Sequence, residues 1–405
     1  MFLALRDIVS ARGRFSLISF VVGLITVLLV MLTGLTGGLA KHNTSALEAL
    51  APERYVFTSD GPSFQESQVT TSDVQEWQEL VDADSQVIPL GTAQTRLEAG
   101  SALGVAVLGL PAGTKVPAPV VSGAGAAGSE IAGATAAGAA AEADSAAPLE
   151  PQEPQEPQEA VVAEDGIVVS HEIVAEAGVQ PGETVEIGGV EQPVSAVVAD
   201  EHYSHQPVVW ASTQVWQRIS RAHDDVVGTV LAVDTRDRHA GALSDTEWSD
   251  EEWQDAENQT GDSVATVEDS FSGLAAYKSE QASLQLIQVL LYAISALVTV
   301  AFLSVWTIQR SRDLSVLRAL GASPGYVWKD ALGQAAVVVG IGVVFGAGVG
   351  WAAGVWAGGS VPFDLQWTTI VVPAAGIWVL GMCGALVATR RVKKIDPASA
   401  LEGKS

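Results

Sequence analysis

Four long apolar runs, at residues 15–40, 281–308, 331–358 and 368–389, break an otherwise mixed hydropathy pattern. Each is long enough to cross about 30 Å of hydrocarbon as a helix. Residues 41–280, between the first and second runs, follow a different rhythm. There, short β-branched stretches (GIVVS, TVEIGG, PVSAVVAD, PVVWAS) alternate with turn signals over 166–220, as half-buried strands do. HEIVAEAGVQPGETVEIGG predicts a short helix, a turn at Pro181-Gly182 and a strand, and 54–110 carries α/β material with a helix over 72–81. The predicted fold is an α-helical membrane protein with four transmembrane helices and an α+β domain inserted between helices 1 and 2. Two stretches interrupt that domain. Residues 121–160, nearly all Ala, Gly, Ser, Glu and Pro and ending in EPQEPQEPQE, predict a disordered insert. The acidic, polar residues 236–262 predict a loop.

Finer patterning separates the four spans. Helix 1 carries Ser19, Gly23, Thr26, Thr33 and Gly37 at helical spacing, a stripe that lets another helix approach. Helix 2 carries Gln281, Gln285, Gln288, Tyr292, Ser295 and Thr299, spaced by four and three. Three glutamines facing lipid would be expensive, so this face meets protein or an aqueous path. Interhelical hydrogen bonding and substrate contact explain it equally well. Helix 3 has Gly342, Gly346, Gly350, Gly354 and Gly358 at four-residue spacing, a ridge for close packing. The segment 309–330 has helix grammar of its own: Leu314, Leu317 and Leu320 form an apolar edge, Gly321 stands at a C-terminal cap, and Ser323-Pro324 opens the next helix. Residues 1–14 pair Phe2, Leu5, Ile8 and Val9 with Arg6, Arg12 and Arg14, as a helix lying in the inner interface would.

Charge sets the orientation. Lys and Arg number 3, 4 and 5 in segments 1–14, 309–330 and 390–405, whereas 41–280 holds 9 basic and 41 acidic residues. By the bias of cationic loops toward the cytoplasm, both termini and 309–330 lie inside and the α+β domain is extracytoplasmic. The net charge of −26 is therefore a property of that domain and excludes a nucleic-acid-binding role. The sole cysteine, Cys383, falls in the fourth span, so the inserted domain is held by burial without disulfides. The first apolar run exceeds the roughly 7–15 residues of a signal peptide's core, which marks it as an uncleaved anchor.

The chain offers no nucleophile–base pair and no nucleotide loop. Gly403-Lys404-Ser405 mimics the end of a phosphate loop, but Ala398 stands where the leading glycine belongs. Asp200-Glu201-His202-Tyr203-Ser204-His205 has the residue types of a metal or haem ligand set, although such pairs are more often solvated surface. His42 reads as an interfacial polar residue just beyond helix 1. Met31, Tyr277 and Tyr292 suit contact with a flat apolar ligand, and membrane packing explains them equally.

The arrangement of one span, a large domain and three more spans resembles the FtsX-like (MacB-type) permeases of ABC transporters. Three motifs carry the resemblance: ALRDIVSARGRF, RSRDLSVLRALGASPGYVWKDAL and VKKIDPASALEGK, the last similar to a terminal D-P-x-x-A-L signature. Within that family, LTGLTGGLAKHNTSALEAL, the modest domain and the compact tail are most similar to the haem-regulated exporter permeases. The resemblance implies a homodimer in the bacterial plasma (inner) membrane, driven by two copies of a separate cytoplasmic ABC ATPase. Arg312, Asp313, Leu314, Leu317, Arg318, Leu320 and Gly321 would dock on that ATPase. No cofactor would be bound permanently. Haem would be the transported ligand, along a path lined by Met31, His42, Gln281, Gln285, Gln288 and Tyr292. Two alternatives share the resemblance. One is export of peptides, macrolides or lipoproteins; the other is a signalling permease that moves no cargo and activates a cell-wall hydrolase or sensor.

Overall fold

The computed structural model describes residues 12–81, 85–123, 159–235, 248–309, 323–358 and 361–389. They fall into two compact units, one of Met1–Ala40 with Ser279–Ser405 and one of Lys41–Lys278. In chain order, α1 (Arg12–Leu50) is followed by β1 (Arg54–Phe57), β2 (Val69–Thr70), α2 (Thr71–Leu80), β3 (Gln86–Ala99), β4 (Ser101–Leu110), β5 (Lys115–Gly123), β6 (Glu159–Val161) and β7 (Ile167–Ser170). Next come α3 (His171–Ala177), β8 (Thr184–Ile187), β9 (Val190–Val198), β10 (His202–Tyr203), β11 (Gln206–Ser212), α4 (Thr213–Ser220), β12 (Val226–Gly228) and β13 (Val230–Asp234). The chain closes with α5 (Asp250–Thr260), β14 (Ser263–Ala265), α6 (Val267–Ser270), α7 (Ala275–Gln309), α8 (Pro324–Ala357) and α9 (Trp367–Thr389).

The unit of residues 41–278 is built on one mixed sheet, ordered β14-β1-β13-β3-β4-β11-β7-β9-β5-β6, with β8 and β10 paired at its side. Its spine is the long strand β3. Residues 86–90 pair with β13 and residues 91–99 with β4, so one strand bridges both halves of the sheet. Where the halves meet, Gly91 stands opposite Gly109. This paired absence of side chains makes a notch in which Trp216 of α4 sits. A methyl on Gly91 would lie 2.3 Å from the indole, and one on Gly109 would lie 2.5 Å from Trp216 Cβ. Trp216 is thereby sealed against Leu97, Val105, Val107, Ile173 and Val209.

The predicted helix–turn–strand at 171–187 is present: α3 ends on Gly178 with φ 71°, Gly182 turns with φ 91°, and β8 follows. The reading of 236–262 as a loop is corrected over its second half, because α5 occupies Asp250–Thr260. Ser249 and Glu252 form a capping box at its start, and acids at 250, 251 and 252 complement the positive end of the helix. Trp253 then anchors α5. It is buried, stacks 6.3 Å from Trp77, and donates its indole N–H to the buried Glu53 carboxylate at 2.8 Å. Residues 236–247 lie outside the described residues. At the edges of the expected insert, β5 continues to Gly123 and β6 resumes at Glu159; 124–158 lie outside the described residues, as do 1–11.

In the other unit, the segments of α1, α7, α8 and α9 that belong to it come from four helices long and apolar enough to cross a membrane. The glycine ridge of α8 accounts for their closest contacts. A methyl on Gly342 would sit 2.6 Å from the Ser19 carbonyl oxygen, and one on Gly346 2.4 Å from that of Gly23. The small-residue stripe of α1 and the ridge of α8 thus meet backbone to backbone. Ser19 Oγ adds a bond of 2.9 Å to the Val338 carbonyl. Further along, Phe363 fills the space over Gly34 and Gly354, and the Asp364 N–H donates to the Gly34 carbonyl at 2.9 Å. Phe15, Ile18, Val22, Leu29, Val339 and Ile377 form the apolar centre.

Candidate functional site

The glutamine stripe of α7 divides in two. Ser295 and Thr299 are buried, with Thr299 Oγ1 donating to the Ser295 carbonyl at 2.8 Å. Tyr292 is half-buried and lays its ring over Gly376 of α9, where a methyl would come within 3.1 Å. This end of the stripe is largely covered within one copy of the chain. The other end is not covered: Gln285 is exposed, and Gln281 and Gln288 are half-buried. Apolar neighbours on α7 are equally open, with Leu286 70% and Leu297 69% exposed. A helix so little covered offers a surface to a second helix, lipid or cargo. Met31 is half-buried on α1.

His42 belongs to the other unit, on the last turns of α1. Its ring stacks on that of His202, with centroids 4.1 Å apart and planes at 19°. His202 Nε2 lies 2.7 Å from Glu172 Oε2, and His205 Nε2 lies 3.0 Å from Asn43 Nδ2. The residues between β10 and β11 are Ser204 and His205, both in the left-handed region with φ 50° and 62°. Their N–H groups donate to the Asn43 and His42 carbonyls at 3.1 and 2.8 Å. His202 N–H donates to Ser45 Oγ at 2.8 Å. Burial pushes the nearby Glu201 carboxyl above its ordinary value, against the hydrogen bond from Ser45 and the His202 charge. The hairpin is thus strapped to α1. His202 is half-buried against His42 and Glu172, whereas His205 is exposed with its ring beside the Asn43 amide, and among the described residues no three His, Cys, Asp or Glu side chains are placed to hold a metal ion. In the sequence, His42 and the 200–205 stretch are unconnected. Nothing in either segment signals that 160 positions of chain bring them together.

The expected path residues are therefore divided, with Met31, Gln281, Gln285, Gln288 and Tyr292 in one unit and His42 in the other. The ATPase-docking residues Arg312, Asp313, Leu314, Leu317, Arg318, Leu320 and Gly321 lie outside the described residues.

Residues 286–397 match the family model described as the FtsX-like permease C-terminal domain. Two relatives carry the name of a hemin transport system permease protein, HrtB. One, from Staphylococcus epidermidis (strain ATCC 12228 / FDA PCI 1200), is 29% identical over 140 residues, 35% of this chain and 40% of that relative. The alignment thus spans less than half the relative's length. The other, from Staphylococcus haemolyticus (strain JCSC1435), is 21% identical over 406 positions, covering 100% of this chain and 99% of the relative. Among solved structures, the periplasmic region of MacB from Actinobacillus actinomycetemcomitans aligns with 53% of this chain and 88% of its own, at 12% identity and a TM-score of 0.32. The extracellular domain of the ABC-type transporter YknZ from Gram-positive bacteria aligns with 53% and 97%, at 12% identity and 0.30.

Proposed function

We propose that this chain, which carries an FtsX-like permease C-terminal domain at residues 286–397, is the permease subunit of an ABC exporter whose cargo is haem. The observation that carries the reading is the alignment of the whole chain, end to end, with a relative named for hemin transport. The chain has no nucleotide loop, so ATP is hydrolysed by a separate cytoplasmic subunit in two copies, gripping Arg312–Gly321 of each permease. The permease works as a homodimer through the uncovered face of α7, with its termini cytoplasmic and residues 41–278 outside. Haem is a flat amphiphile that partitions into lipid, and the open glutamines Gln281, Gln285 and Gln288 give it polar contacts beside Met31 and Tyr292.

The test is spectroscopic and enzymatic together. The permease is purified with its ATPase in lipid discs and titrated with haem. A saturable Soret band and haem-stimulated ATP hydrolysis are expected, and Gln285→Leu should abolish haem resistance in cells while leaving basal ATPase activity unchanged. ATP turnover that no concentration of haem alters, with no Soret band, overturns the cargo assignment and favours a permease that transmits force without transport.

A further inference from the structure

We propose that the unit of residues 41–278 holds a binding site for a small organic anion, a carboxylate or phosphate ester attached to a flat apolar group. The site is a cleft of about 610 Å³, within the size range of small-molecule pockets. It lies where β3, the end of α4 and the loop preceding β2 come together, and Gly273–Ala276 closes one side. It is unrelated to the proposed export path, and it stands or falls independently of that reading.

Three observations set the ligand's chemistry. The first is charge. Roughly one residue in six of 41–280 is acidic, yet none of the twenty residues lining this cleft is. The lining instead carries Arg221 and His223. Asp224 and Asp225 follow His223 in the chain but are not part of the wall. In so acidic a unit, a wall free of carboxylates removes the repulsion that an anion meets elsewhere.

The second is the availability of the cation. Arg221 caps α4 in the left-handed conformation, φ 56°, with its N–H bonded to the Gln217 carbonyl. Its guanidinium is exposed and makes no ion pair among the described residues. A guanidinium offers a planar fork of donors that matches carboxylate and phosphate oxygens. Gln68 and Gln94 also line the cleft, and both carry amide groups able to donate.

The third is the apolar floor. Phe64, Tyr203 and Trp216 contribute to the lining while staying almost wholly buried, which suits the face of a flat group.

Equilibrium dialysis on the full-length chain in phosphatidylcholine discs tests the site with benzoate, phenyl phosphate and the neutral benzamide. Saturable binding of either anion, at least tenfold tighter than benzamide, is expected, and which anion binds distinguishes a carboxylate from a phosphate ester. Arg221→Asn should weaken the anion at least tenfold without lowering the thermal midpoint, because Asn tolerates the left-handed cap. Arg96→Gln, in the neighbouring cleft that Arg221 also borders, should leave anion binding unchanged. Benzamide binding as tightly as the anions, an Arg221→Asn protein that binds normally, or no saturable binding of any probe overturns the proposal.

Discussion

At Gly109 a single methyl group decides whether α4 can dock. Trp216 Cβ would lie 2.5 Å from it, so α4 would have to shift off the sheet to admit it. Gly109→Ala should therefore lower the stability of the 41–278 unit by about 1–3 kcal/mol, seen as a fall in its thermal midpoint. Gly104→Ala, where the nearest atom is the end of the flexible Gln206 side chain at 3.4 Å, should be close to neutral. Neither glycine is distinguishable in the sequence, because the notch exists only once β3 and β4 are in register. The same holds for the histidines. His42 sits at the end of an apolar run and His202 in a polar stretch, and their stacking is set by where α1 continues, which no local pattern encodes.

Elements were legible wherever a periodicity or a cap lay within one segment. The four-residue glycine spacing of α8 predicts close packing, and the structure places it against α1. A methyl at Gly346 meets backbone whereas one at Gly348 meets nothing within 4 Å. Gly346→Ala should thus destabilise the helices by about 1–3 kcal/mol and Gly348→Ala should not, as measured by unfolding in lipid or detergent. Helix α5 is hidden in the sequence, because acidic composition masks the capping box that Ser249 and Glu252 form. Hydrogen bonds from the Ser249 N–H and hydroxyl hold the Glu252 carboxyl below its ordinary value. A depressed carboxyl contributes stability above its unfolded-state pKa and loses it as pH falls through the folded one. Glu252→Gln should accordingly flatten the acid side of the stability–pH curve, read from thermal midpoints.

For the whole molecule, hydropathy and charge carried most of the information, since a bilayer admits few solutions for four long apolar runs. The division at residues 40/41 and 278/279 falls near the ends of the apolar runs, within α1 and α7. What composition could not supply was the partner. The proposed docking of the ATPase on 309–330 is testable by Leu317→Asp, which would put a charge into the proposed apolar contact; loss of ATPase co-purification with unchanged helix content is expected. A last consequence comes from the strap between α1 and the β10–β11 hairpin. Two residues held at positive φ without glycine relax once their restraints go, and here the restraints are carbonyls of α1. Amide hydrogen exchange at Ser204 and His205 therefore reports on the integrity of α1's final turns, a native gauge that needs no label.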